Sequence, residues 1–249
     1  MKKIIDKLFQ PLGIEVKKKF TSQIEHGSFQ ELDTIFRFFL ERNGGGTSHA
    51  QLSQDIFALV ANGMKRGGYF VEFGATNGID LSNTRLLEQS YGWTGILAEP
   101  DPRWHAALKK NRSCTIDDRC VWKTTGETLE FAMAQDGEFS TISEFREGGT
   151  HSNRTLNAEQ TAVETISLID LLKYHSAPKE IDFLSIDTEG SEYEILSSFD
   201  LREYKFHAIA VEHNFSSDRN RIFELLTNAG YRRVFNYVSR WDDWYVRAE

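Results

Sequence analysis

Two carboxylates and a glycine-bracketed loop carry the first recognisable chemistry of the chain. Glu72 interrupts the apolar run Tyr69-Phe-Val-Glu-Phe73, which breaks at Gly74-Ala-Thr-Asn-Gly78, and Glu99 ends a second apolar run, Ile96-Leu-Ala-Glu-Pro100. Carboxylates are seldom buried in strands without a partner, so both are candidate ligand contacts. Gly74 and Gly78 suit a tight turn around Ala75, Thr76 and Asn77. Thr76, however, stands where a dinucleotide fingerprint places its second glycine, the one that lets backbone approach a pyrophosphate. A phosphate-free nucleoside fits better. S-adenosylmethionine carries an ammonium and a sulfonium, which an acidic Glu72 beneath the loop would favour, and Glu99 is placed to accept hydrogen bonds from both ribose hydroxyls. The plainer alternatives are a Glu72 paired inside the sheet and a Glu99 at a surface strand end.

These residues need a sheet to hold them. From residue 69 onward, strands expected near 69–73, 95–99, 114–121, 181–186 and 206–212 alternate with helices near 80–91, 102–111, 167–175, 191–198 and 217–228. That alternation predicts an α/β fold, an open and mostly parallel sheet with helices on both faces, which binds ligands at the carboxyl ends of its strands. Asp101-Pro102 predicts an N-cap before a first-turn proline, Ser191-x-x-Glu194 matches a capping box and Ser167-x-x-Asp170 resembles one. Tyr231 to Val238 and Trp241 to Arg247 read as a closing pair of strands.

Residues 1–65 read as a helical appendage, with residues 66–249 as the main domain. Leu32, Ile35, Phe36, Phe39 and Leu40, and again Leu52, Ile56, Leu59 and Val60, recur at helical spacing around a flexible break at 41–48. The first twenty residues hold six lysines against Asp6 and Glu15. They suit a solvated helix, or a weak contact with an anionic membrane surface. From Gln135 to Gln160 the chain is polar and poorly periodic, as substrate-covering loops and idle insertions both are.

A chain of 249 residues with 40% hydrophobic content can build a full core. Its net charge of −8 disfavours a nucleic-acid partner. No uninterrupted apolar run at the N-terminus predicts a leader or a membrane span, which makes a cytoplasmic location the expectation. Cys114 and Cys120 lack metal-binding spacing and read as reduced thiols. Oligomeric state has no signature.

In combination, Phe70-Val-Glu-Phe-Gly-Ala-Thr-Asn-Gly78, Ser82-Asn-Thr84, Leu87-Glu88, Gly92-Trp-Thr-Gly-Ile96, Glu99-Pro-Asp-Pro102, Asn111-Arg112 and Ile186-Asp-Thr-Glu-Gly-Ser-Glu192 resemble the FkbM-family methyltransferases, over roughly residues 68–236. The resemblance implies the class I methyltransferase (Rossmann-like) fold and S-adenosylmethionine-dependent O-methylation of a saccharide, polyol or similar hydroxyl-bearing natural product. Carried over residue by residue, it assigns Glu72, Gly74 and Gly78 to the cofactor loop, Glu99 to the ribose, and Asp187 with Glu189 to the acidic motif after the fourth strand. Glu72 stands where many members have aspartate, and residues 1–65 match nothing in the family.

Methyl transfer to an aliphatic hydroxyl requires alignment and removal of a proton. Asp187 ends the fourth strand and Glu212-His213-Asn214 the fifth, ends that are neighbours in this fold. His213, with a reference pKa of about 6.5, is the candidate base, and Asp187 its catalytic partner. Asp187, Glu212 and His213, with Glu189 and Asn214 nearby, are alternatively a set for Mg²⁺ or another divalent cation. His105, His151 and His175 read as surface residues, and Glu192 as a first-turn carboxylate serving only its helix. Two rivals remain open: a nicotinamide-dependent oxidoreductase on a similar sheet, and a non-catalytic cofactor-binding module.

Overall fold

The structure, a computed structural model, describes residues 36–37, 48–134, 140–145 and 158–248. The lysine-bearing start of the chain, His151 and most of the expected covering loop lie outside the described residues. Among the described residues no helix is long and apolar enough to cross a membrane.

The sheet grows outward from β1 (Tyr69–Phe73), which pairs in parallel with β2 (Thr94–Ala98) on one side and β8 (Glu180–Ile186) on the other. β3 (Thr115–Asp117) extends it beyond β2, and β9 (Lys205–Glu212) beyond β8, both in parallel. β11 (Asp242–Arg247) then runs antiparallel to β9, and β10 (Tyr231–Val234) antiparallel to β11. The resulting seven-stranded order, β3-β2-β1-β8-β9-β11-β10, is that of a class I methyltransferase. The chain steps one way from β1 to β3 and the other way from β8, so a crevice opens at the carboxyl ends of β1 and β8.

The period of two along β1 divides its side chains between two cores. Val71 and Phe73 face α4 (Leu168–Tyr174), α5 (Glu192–Ser197) and α6 (Asp218–Asn228), packing with Leu171, Ile195 and Ile222. Phe70 faces α1 (Gln54–Ala61), α2 (Arg85–Tyr91) and α3 (Pro102–Asn111), packing with Phe57, Leu87 and Leu108. Phe57 of α1 stacks on Trp244 of β11 at 4.9 Å and 11°, and Phe36 joins the same cluster. The described part of the expected appendage is thus built into the sheet's core, where each large apolar side chain stabilises the fold by about 1.5–3 kcal/mol.

Three local expectations change. The single strand expected at 114–121 is two, because the Asp117 carboxylate accepts the Arg119 N–H at 3.0 Å and turns the chain. After that turn β4 (Cys120–Trp122) leaves the main sheet for a second one with β5 (Thr128–Met133), β6 (Thr141–Ile142) and β7 (Glu159–Ser167), in the order β4-β7-β5-β6. The helix expected from residue 80 begins at Arg85, since residues 82–84 are drawn down onto Glu72. Asp101 and Ser167 cap α3 and α4 as expected, accepting from Arg103 and Asp170. Ser191 does not cap α5; its hydroxyl donates to Thr188 Oγ1 instead.

Candidate active site at the strand ends

A cavity of about 410 Å³ opens where the carboxyl ends of β1, β2, β8 and β9 meet. The second sheet covers part of it through Phe131 and Ile142, with Ser140 just before β6 beside them.

The loop after β1 reaches the cavity at Gly74 and Thr76. Gly74 has φ +75°, and a Cβ there would sit 2.2 Å from the Asp187 carbonyl oxygen, so the ends of β1 and β8 touch backbone to backbone. Ala75, Asn77 and Gly78 shape the turn from behind: Gly78 N–H donates to Ala75 O at 2.8 Å, and the Asn77 side chain accepts from Ile79 and Asp80. Glu99 is buried and held at both oxygens, Oε2 accepting Thr76 N–H at 2.7 Å and Oε1 accepting Asp101 N–H at 2.8 Å. Burial pushes its pKa up to about 7 against the pull of those donors. Each oxygen keeps acceptor capacity toward the cavity. His105 is no idle surface residue, for its Nε2 lies 2.8 Å from the Glu99 carbonyl.

Glu72 has the partners of a structural carboxylate as well as a place on the cavity wall. Asn83 N–H donates to it at 2.8 Å, the Thr84 hydroxyl donates to its other oxygen, and the fully buried Arg112 guanidinium lies 3.9 Å away. Burial raises its pKa and Arg112 opposes the rise. Arg112 also binds Glu88, Ser82 and Thr84. Asn83 Oδ1, buried beside Glu72, has no hydrogen-bond partner, while its Nδ2 donates to Ser185 Oγ at 2.9 Å. An orphaned acceptor next to a carboxylate suits a cationic or N–H-bearing group, so these residues fit the amino-acid end of S-adenosylmethionine as Glu99 fits its ribose. The spacing of Ser82-Asn-Thr84 offered the only hint of Asn83.

On the other side stand Asp187, Glu189 and Glu212, each offering one oxygen within 4.8 Å of the others. Glu212 hydrogen-bonds Asp187; burial and then repulsion from Asp242 push Asp187 up to about 7 against that bond, while burial and repulsion from Asp187 raise Glu212. Asn214 Nδ2 donates to Glu189 Oε2 at 3.2 Å. Glu192 proves to be more than a helix-end charge: buried, it clamps the turn after β8 by accepting from Thr188 and Gly190 N–H. Strain gathers here, with positive φ at Glu189, Asn214 and Phe215, as is common at ligand sites.

His213 is the expected site residue that the structure separates from the rest. Successive residues alternate sides, so while Glu212 lines the cavity the His213 ring turns away, with Nε2 3.7 Å from Asp243 Oδ1. Asp243 itself is taken up by Arg219 and Arg233. Phe215 N–H donates to His213 Nδ1 at 2.9 Å, and burial lowers the pKa. The acidic cluster is therefore Asp187, Glu189 and Glu212, with Glu189 standing where His213 was expected. Both cysteines are free, and His175 pairs with Asp117 at 2.7 Å at the end of β3, outside the cavity lining.

Residues 72–233 match the family model described as the methyltransferase FkbM domain. Among solved structures, the chain is similar to methyltransferase FkbM from Methylobacillus flagellatus KT, with 13% identity and a TM-score of 0.45 over 86% of this chain, which spans 58% of that protein's length. It is also similar to the O-methyltransferase from Bacillus cereus in complex with SAH, with 13% identity and a TM-score of 0.40 over 98% of this chain and 95% of that one. No curated protein matches the sequence. Matched by the family model over more than half its length, on a sheet of class I order, the chain belongs to the FkbM family of S-adenosylmethionine-dependent methyltransferases.

Proposed function

We propose that this methyltransferase acts on a hydroxyl oxygen of a saccharide or related polyol, and that the carboxylates at the ends of β8 and β9 prepare that oxygen. The observation carrying this reading is the Asp187–Glu212 pair on the cavity wall, Glu212 buried and Asp187 half-buried, sharing a hydrogen bond. Two acids so close hold one proton between them, and the pair titrates as a unit. A carboxylate whose pKa stands near 7 can accept a hydroxyl proton at neutral pH. Glu189, steadied by Asn214, offers a further acceptor to an adjacent hydroxyl. S-adenosylmethionine supplies the electrophilic methyl group when bound. Glu99 and the Thr76 loop would hold its nucleoside, with Glu72 and Asn83 at its cationic end. Placement of acceptor and cofactor in one cavity supplies most of the remaining rate.

The proximity of three oxygens from Asp187, Glu189 and Glu212 favours a second reading, in which they hold a hard divalent cation. Thr76 at the fingerprint position and the family match both count against a nicotinamide enzyme.

The decisive experiment incubates the protein with S-adenosylmethionine and separate panels of saccharides, acyclic polyols, phenols, amines and carboxylic acids, reading products by mass spectrometry. A gain of one methylene on a saccharide or polyol hydroxyl is expected. Methylation confined to nitrogen, phenol or carboxylate acceptors would overturn the reading, and cofactor binding without any turnover would support a binding module.

A further inference from the structure

Phe215 is 66% exposed at the edge of the cavity, one residue beyond the Asn214 that steadies Glu189. A lone exposed aromatic is ordinary on a protein surface. This one is held in place at a cost, because its φ of +57° is a conformation that bulky L-residues rarely adopt. Asn214 before it also has positive φ, at +41°. Two contacts from the buried His213 impose the turn: the Nδ1 acceptor takes the Phe215 N–H at 2.9 Å, and the carbonyl takes the Ser216 N–H at 2.7 Å. The His213 ring meets the Phe215 ring edge-on, with centroids 5.3 Å apart. Most of the Phe215 surface is left open. Trp241 stands on the same cavity wall, its Nε1 donating to Gln51 Oε1 at 3.2 Å, and its carbonyl accepts from both His213 and Asn214.

We infer that Phe215 is a stacking platform for the acceptor, and that the acceptor it selects is a pyranose ring rather than an open-chain polyol. A pyranose presents an apolar C–H face that packs on an aromatic ring and an edge of vicinal hydroxyls that seeks acceptors. The cavity supplies both in one place, the aromatic at the rim and the Asp187, Glu189 and Glu212 oxygens within. An open chain has no flat face to offer. His213 is then a positioning residue: it fixes the strained turn and touches neither cofactor nor sugar. The inference rests on the saccharide reading above and narrows it.

The test uses the full chain saturated with S-adenosylhomocysteine and reads binding by saturation-transfer NMR. The probes are the methyl α-pyranosides of glucose, galactose and mannose, with sorbitol as the open-chain control. At least one pyranoside should receive saturation at the protons of one C–H face, and sorbitol should receive none. Phe215→Ala and Phe215→Leu should each weaken pyranoside binding by roughly fivefold to tenfold, while Phe215→Trp keeps it. His213→Leu should weaken it similarly, and His213→Asn, whose Oδ1 can replace the Nδ1 acceptor, should restore it. Affinity for S-adenosylhomocysteine, read by calorimetry, should be unchanged in every variant. Equal pyranoside affinity in wild type and Phe215→Ala would overturn the platform and leave the saccharide reading standing. Binding of sorbitol as tight as that of the pyranosides would overturn the ring selectivity. No pyranoside binding by a wild type that binds S-adenosylhomocysteine would overturn both.

Discussion

Thr76 donates its backbone N–H to Glu99 Oε2 at 2.7 Å, tying the loop after β1 to the end of β2. The carboxylate therefore orients the turn in addition to the nucleoside contact proposed for it, and the two roles separate by substitution. Glu99→Gln keeps the shape but loses the charge and one acceptor, whereas Glu99→Ala also frees the loop. Hydrogen bonds to a charged group contribute about 1.5–3 kcal/mol each, and about 1.4 kcal/mol is tenfold in affinity. Glu99→Gln should weaken S-adenosylhomocysteine binding at least tenfold by calorimetry, and Glu99→Ala further. Unchanged affinity in the folded Gln variant would place the ribose elsewhere.

The Asp187–Glu212 pair makes turnover and stability respond oppositely to pH. As a base, the pair must lose a proton before it can accept one, so the rate of the chemical step should climb as pH rises through about 7. Asp187→Asn should remove both the limb and most of the turnover. For stability, Asp187 at about 7, Glu99 at about 7, and Asp55 and Asp242 at about 6 all lie above the ordinary carboxylate range in the folded protein. The folded state thus holds more protons than the unfolded one between those values and about pH 4, and stability falls as pH rises through that window. The ligand-free protein should melt at a higher temperature near pH 5 than near pH 8. A melting temperature that rises across the same interval would show that these acids are not buried as described.

Chelation separates the two readings of the acidic cluster. The oxygens of Asp187, Glu189 and Glu212 lie within 4.8 Å of one another, and Asp187 and Glu212 already share a hydrogen bond. The pair also meets its own charge by sharing a proton. Turnover is therefore expected to persist in excess EDTA, with no gain on adding Mg²⁺ or Mn²⁺. Loss in chelator and recovery with either metal would transfer the cluster to the cation reading.

The parallel sheet was legible because β1, β2, β8 and β9 are short apolar runs ending at turn residues, and the crevice follows from their order. The second sheet was not, since β7 spells Glu159-Gln-Thr-Ala-Val-Glu-Thr-Ile-Ser167, a half-exposed strand whose partner β5 lies across a long connection. Glu72 and Glu99 were visible as acids in apolar company, and the structure puts both on the cavity wall. His213 shows the limit of such reading. Position at a strand end identifies a neighbourhood, but the side on which the side chain emerges depends on the turn that follows. There the left-handed backbone of Asn214 and Phe215 carries no sequence mark such as glycine. Glu192 was misjudged for a related reason, because a first-turn carboxylate and a loop clamp look alike until the burial is known.

Among the described residues, Arg112 is the cation at the centre of the Glu72 network, and its removal should be the most damaging change outside the acidic cluster. Its side chain is fully buried, pairs with Glu88, donates to Ser82 Oγ at 3.0 Å and Thr84 Oγ1 at 2.9 Å, and lies 3.9 Å from Glu72. Arg112→Met keeps much of the aliphatic volume but leaves the Glu72 carboxylate buried without its compensating charge. Breaking a buried pair by removing one partner costs about 3–5 kcal/mol. Chemical denaturation should show a loss of that size, together with weaker S-adenosylhomocysteine binding, because the 82–84 turn carries Asn83 on the cavity wall. Arg112→Met combined with Glu72→Gln should recover part of the stability, as the orphaned charge is then gone. Equal losses in the single and double variants would mean that Arg112 acts through Glu88 and the α2 end alone, and that Glu72 is neutral in the folded protein.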